Sequence, residues 1–180
     1  HQVPASVPLG GLFDAIGSVT NQVMAVYDMG PWATAAEWAM VERLGLQIGW
    51  QAGAFSGLAT HGGSLANLTA LLTARNVSLE GCWEKGLPGG GPVLVVQNDA
   101  HYSVARSAGI LGVGSASVIR IGLDHRRRMD PERLDERLRE LRSRGRPIVA
   151  VSACACATPT GAFDPLVDIA EVCRRHEVWL

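Results

Sequence analysis

Apolar positions in the first half of the chain recur at helical spacing. In the second half they gather into short runs separated by amphipathic stretches. The pattern predicts helices over residues 12–27 and 33–50, broken at Gly30-Pro31, with Pro31 suited to open the second. In that second helix Trp38, Val41, Leu44 and Ile48 fall three and four residues apart and are expected to bury one side. A short extended segment is expected over 55–60, then a helix over 65–76 with Leu65, Leu68 and Leu72 inside, then a loop to Gly91. From Val93 the order becomes regular: strand 93–96, helix 102–111, strand 117–121 and a helix opened by Asp130-Pro131 with Leu134, Leu138 and Leu141 inside. Strand 148–153 follows, then a helix after Asp164-Pro165 burying Leu166, Ile169 and Cys173, and a final strand over 178–180.

The continuous apolar run Val93 to Val96 suits a strand covered on both faces. Strands alternating with helices of about 10–15 residues imply right-handed crossovers and a mostly parallel sheet, hence an α/β fold. Residues 1–50 read as an N-terminal helical segment leading into a larger domain, of which residues 51–180 are the first part. A parallel sheet that stops on the opening residues of a strand is expected to continue in a longer polypeptide.

Composition narrows the function classes. The chain has 180 residues, of which 47% are hydrophobic and 18% charged, enough apolar material for a core and against disorder. A net charge of −1 argues against nucleic acid as a partner. The longest largely apolar stretch, 148–157, is about half of the ~20 residues a membrane-spanning helix requires, so no membrane partner is expected. The 16 basic residues include a single lysine, Lys85, the one candidate for any chemistry that needs an amine. Four cysteines, Cys82, Cys154, Cys156 and Cys173, do not make a disulfide scaffold; Cys154 and Cys156 are expected in one buried strand, and a reducing, cytoplasmic compartment is inferred. The start, His1-Gln2-Val3-Pro4, has neither a secretory pattern nor an initiator Met, which suggests processing or a fragment.

Three stretches carry candidate chemistry. Thr60-His61-Gly62-Gly63-Ser64-Leu65-Ala66-Asn67 runs from an extended segment into a helix, where unpaired N–H groups and the positive end of the helix dipole suit a phosphate; an ordinary glycine-rich turn with Ser64 as N-cap is the other reading. Asn98-Asp99-Ala100-His101-Tyr102-Ser103-Val104 follows a buried parallel strand, where α/β folds bind ligands, although His101 could equally only cap the next helix. Cys154-Ala155-Cys156-Ala157-Thr158, also past a strand, has small residues that let a flat ligand approach the backbone. Its two cysteines lack the second pair or nearby histidine of a metal site, so no metal is expected.

Taken in order, Thr60 to Asn67, Ala100-His101-Tyr102-Ser103-Val104, and Ala157-Thr158-Pro159-Thr160-Gly161-Ala162-Phe163-Asp164-Pro165 resemble the pyridoxal-phosphate-dependent amino-acid decarboxylases of the glutamate and aromatic amino-acid type. Ala66 to Asn76, and Gly30-Pro31-Trp32-Ala33-Thr34 with Glu37, extend the likeness over nearly the whole chain. The resemblance implies the aspartate-aminotransferase-like fold, of which this chain would hold the first part of the large, cofactor-binding domain. It also implies pyridoxal 5'-phosphate as cofactor, an amino acid as small-molecule substrate and a homodimer with sites at the interface. By position, Gly62, Gly63 and Ser64 would hold the cofactor phosphate, His101 would stack on the pyridine ring as the catalytic histidine, and Thr158 would lie close to the cofactor. Val3 and Pro4 would fall in a loop lining the substrate pocket. The reaction implied is loss of carbon dioxide, with the cofactor ring as electron sink.

Departures are His61 and Leu65, where the family commonly has Ser and Glu. The family's pyridinium-pairing aspartate and cofactor lysine match no residue here, and Lys85 lies in the wrong segment, so the 180 residues alone are expected to be inactive. A carbon–carbon lyase or aminotransferase of the same fold, or a non-catalytic fragment, are the alternatives. Gly112-Val113-Gly114 closes a helix and is no dinucleotide fingerprint. Arg126-Arg127-Arg128 and residues 142–146 read as a solvated face, and the tryptophans as core or dimer contacts.

Overall fold

The computed structural model describes residues 4–180 and divides into two units, one through Ala59 and one from Thr60 to Leu180.

The first unit is helical. Helix α1 (Pro8–Thr20) starts on a proline and ends at Asn21, which adopts the left-handed conformation. The helix therefore stops seven residues before the expected Tyr27; a single 3₁₀ turn, Tyr27–Met29, follows instead. Helix α2 (Pro31–Gln47) opens on Pro31 as expected. The expected buried side is not found: Trp38, Leu44 and Ile48 are exposed, and the residues buried on α2 are Thr34 and Gly45. Gly45 is buried by a close approach. A Cβ on Gly45 would lie 2.1 Å from the Phe55 ring, so only glycine admits that ring against the helix. Glu37 ties the following segment down, accepting the Ala59 N–H at 2.6 Å. Residues 55–60 are not paired as a strand. All five tryptophans are exposed rather than in the core.

The second unit is a three-layer α/β structure. Helix α3 (Gly63–Ser78) and the short α4 (Cys82–Lys85) precede β1 (Val93–Gln97). Then come α5 (Tyr102–Ile110), β2 (Val118–Ile121), α6 (Pro131–Ser143), β3 (Ile148–Ser152) and α7 (Leu166–Arg175). The strands are parallel in the order β2-β1-β3, with Val95 opposite Ile119 on one side and Val151 on the other. Every residue of β1 is buried, as its unbroken apolar run requires. Leu94, Val96 and Ala150 face Leu71 and Ala74 of α3 and Val104 and Ala108 of α5. Val93, Val95 and Val151 face Leu134, Leu138 and Leu141 of α6 and Ile169, Val172 and Cys173 of α7.

Helix α6 forms as its sequence dictates. The Asp130 side chain accepts from the N–H groups of Glu132 and Arg133, Pro131 occupies the first turn, and the three leucines are buried. Smaller corrections concern exposed ends. Leu65 on α3 and Leu166 on α7 are exposed, each in the first turn of its helix. Strand β3 ends at Ser152, so Cys154 and Cys156 lie beyond it, half-buried and exposed respectively. Residues 178–180 form no ladder, although the Val151 N–H donates to the Trp179 carbonyl at 2.7 Å. Among the described residues no helix is long and apolar enough to cross a membrane.

Candidate active site

Strand order locates the site. After β1 the chain crosses to β2 by way of α5 on one face; after β2 it crosses back over β1 to β3 by way of α6 on the other. Where successive crossovers diverge, the carboxyl ends of the neighbouring strands leave a crevice. A cleft of about 190 Å³ lies there. Past β1 it is lined by His101 and Val104, past β3 by Ser152 to Cys156 and Thr158, and from α3 by Asn67.

The residues of α3 that precede Asn67 form a second element. Gly62 is the helix cap, with φ 87° and ψ 160°, a backbone conformation open essentially to glycine. Ser64 is therefore inside the first turn and is not the N-cap. No side chain caps this helix, whereas α5 and α6 are capped by His101 and Asp130. A Cβ added at Gly62 or Gly63 would meet nothing within 4 Å. The start of α3 thus borders open space, with the positive end of the helix dipole behind it, which fits a phosphate. Gly63 and Asn67 are four apart and share one face of α3.

His101 is held from behind. Its Nδ1 lies 2.8 Å from the Ser103 hydroxyl and accepts the Ser103 backbone N–H at 3.3 Å. Asn67 donates from Nδ2 to the same hydroxyl oxygen at 2.8 Å. The Tyr102 ring lies 4.2 Å from the imidazole, tilted by 40°.

The opposite wall is fixed by Asp164. Its carboxylate accepts the N–H of Cys154 and that of Met129, each at 2.7 Å. The wall itself is small, Ala153-Cys154-Ala155, and admits a flat group close to the backbone. Burial, with the nearby Asp164 and Asp99 carboxylates, pushes the Cys154 thiol up to about 11, so it is a protonated wall residue at neutral pH. Among the described residues no three His, Cys, Asp or Glu side chains are grouped to hold a metal.

Of the residues singled out from sequence, His101 and Thr158 meet in one cleft, and Gly62, Gly63 and Ser64 lie one helical turn from Asn67 at its side. Pro4 is exposed in the first unit, and Val3 lies outside the described residues. Lys85 ends α4 and is not among the residues lining the cleft. Asn67, Ser103 and Asp164 stand within the same three stretches, and nothing in the sequence marks them as site residues. Only the folded chain shows that the first two converge on His101.

The family model for the pyridoxal-dependent decarboxylase conserved domain matches residues 5–180. The chain belongs to this family. The acidic amino acid decarboxylase GADL1 of Bos taurus is 35% identical over 161 residues, covering 89% of this chain and 30% of that protein. The cysteine sulfinic acid decarboxylase of Rattus norvegicus is 34% identical over 161 residues, covering 89% of this chain and 32% of that protein. The crystal structure of mouse CSAD superposes with a TM-score of 0.92 at 31% identity, over 99% of this chain and 37% of that one. The fold is therefore that of the family's α/β cofactor-binding domain. The chain spans about a third of the length of these relatives.

Proposed function

We propose that the protein is a pyridoxal-phosphate-dependent decarboxylase of an L-amino acid, for which this chain supplies the phosphate cradle and one face of the ring site. The observation that carries the proposal is the meeting of His101 and Thr158 at the carboxyl ends of β1 and β3, beside a helix start opened by Gly62 and Gly63. Bound there, pyridoxal phosphate supplies the electron sink for the pair released when the Cα–carboxylate bond breaks.

The chain's own residues do the following. The N–H groups of Gly63 and Ser64, with the Ser64 hydroxyl, bind the phosphate, and the glycine at position 62 keeps the approach open. His101 lies flat over the ring and fixes its plane. Thr158 holds the cofactor from the opposite wall, while Ala153 and Ala155 leave room for a flat group. Val3 and Pro4 are assigned to the substrate-pocket lining. The names of the two curated relatives point to an amino acid with an acidic side chain as substrate.

The amine that anchors the cofactor is not Lys85, so the 180 residues alone release no carbon dioxide. The likeness to family members further supports a homodimer, and four free cysteines suit a reducing cytoplasm.

The test is carbon dioxide release by the full-length protein with pyridoxal phosphate and a panel including L-glutamate, L-aspartate, L-cysteine sulfinate and aromatic amino acids. Release of carbon dioxide with the matching amine is expected. Transfer of the amino group to a keto acid without carbon dioxide, or no cofactor binding, would overturn the proposal.

A further inference from the structure

We propose that Asn67 and Ser103 are positioning residues that lock the His101 imidazole in the form carrying its proton on Nε2 and set the plane of its ring. The proposal rests on the cofactor reading above only for its consequence, not for its chemistry.

The direction of the hydrogen bonds fixes the proton. A backbone N–H can only donate, and the Ser103 N–H is aimed at His101 Nδ1 at 3.3 Å. Nδ1 must therefore present its lone pair, and in the neutral ring the proton is on Nε2. The Ser103 hydroxyl, 2.8 Å from the same Nδ1, must then donate as well. A hydroxyl that donates in one direction accepts in others, and Asn67 Nδ2 donates to it at 2.8 Å. The order is one-way: Asn67 amide to Ser103 hydroxyl to His101 Nδ1. Ser103 is 1% exposed, so water does not compete for these bonds.

The relay has two further properties. It joins α3 to α5, since Asn67 is on the first and Ser103 on the second. The helix that presents its start to the phosphate thus also orients the imidazole. It also makes His101 the cap of α5, so a proton on Nδ1 would cost that helix its cap. With Nδ1 engaged, the Nε2–H edge points away from Ser103, and Tyr102 braces the ring from the side.

The test uses full-length protein labelled with ¹⁵N-histidine, free of cofactor, at about pH 8.5, above the usual imidazole range of ~6.5. The His101 signals are assigned by their loss in His101→Gln. In the wild type, Nδ1 is expected to show the shift of an acceptor nitrogen and Nε2 that of a protonated one. Ser103→Ala removes the shorter, hydroxyl donor and leaves the backbone N–H at 3.3 Å as the one remaining donor to Nδ1, so a minor share of the ring protonated on Nδ1 is expected to appear. Asn67→Asp offers only acceptors, so the Ser103 hydroxyl turns toward it and His101 Nδ1 gains proton occupancy. In both variants the Kd for pyridoxal phosphate is expected to rise about three- to tenfold, the loss of one or two hydrogen bonds.

A wild-type His101 protonated on Nδ1, or an unchanged tautomer and Kd in the variants, would overturn the proposal. Should Ser103→Ala fail to fold, Asn67→Asp, on a half-buried helical position, decides alone. A wild type that binds no cofactor would overturn the cofactor reading, while the tautomer, measured without cofactor, still decides this proposal.

Discussion

Asp164 and Cys154 are bonded to each other twice: the Cys154 N–H donates to the Asp164 carboxylate at 2.7 Å, and the Asp164 N–H donates to the Cys154 carbonyl at 2.9 Å. The second carboxylate oxygen takes the Met129 N–H. One buried anion therefore joins the cleft wall to the segment leading into α6. Asp164→Asn replaces one acceptor oxygen with a donor facing another N–H in a buried position. A loss of about 3 kcal/mol in urea unfolding is expected, since hydrogen bonds to charged groups contribute about 1.5–3 kcal/mol each. Asp168→Asn, on an exposed position of α7, is the control and is expected to change little.

The glycines at the start of α3 separate stability from binding. Gly62→Ala forces a side chain into φ 87°, ψ 160° and is expected to cost about 1–3 kcal/mol in urea unfolding. A Cβ at Gly63 would meet nothing within 4 Å, so Gly63→Val is expected to fold nearly normally. Its side chain instead stands in the open approach to the first-turn N–H groups. A rise of about tenfold or more in the Kd for pyridoxal phosphate, read by fluorescence titration, is expected; a tenfold rise is about 1.4 kcal/mol.

Much of this was legible in the sequence, and the parts that were not share a cause. Asp130, Pro131, Leu134, Leu138 and Leu141 specify cap, first turn and buried stripe within one segment, so α6 appears as read. On α2 the apolar residues have the right spacing, yet Trp38 and Leu44 are exposed, because spacing tells which residues share a face and not what covers it. Gly45 faces Phe55, ten positions on, a contact that periodicity does not encode. His101 was visible as a candidate because it follows a buried strand. Its partners were not, because Asn67 is 36 residues from Ser103.

Acid is expected to destabilise the fold in a defined window. The backbone N–H of Arg128, then its guanidinium, hold the Asp124 carboxyl down at about 2. The hydrogen bond from His176, with Arg139 and Arg175, lowers that of Asp135. An unfolded aspartate titrates near 3.9. A folded value below the unfolded one gives stability that is present in full above about pH 4 and is lost as pH falls toward about 2. The urea midpoint is expected to drop across that interval, and to drop less steeply in Asp124→Asn.

Thiol labelling follows burial. Cys154 and Cys173 are both pushed up to about 11, Cys173 by burial alone, so neither offers much thiolate at pH 8. Cys156 is exposed in this chain. Peptide mass spectrometry after brief iodoacetamide treatment is expected to find Cys156 modified well before the other two.

The turn between α6 and β3 passes through Gly145 with φ 63°, at the amino-terminal edge of a strand whose carboxyl end borders the cleft. The two ends of a parallel sheet are thus free to diverge separately. Extra residues, a tag or a fluorescent probe grafted at Gly145 would sit a full strand length from the imidazole, making this turn a place to modify the molecule while leaving its chemistry undisturbed.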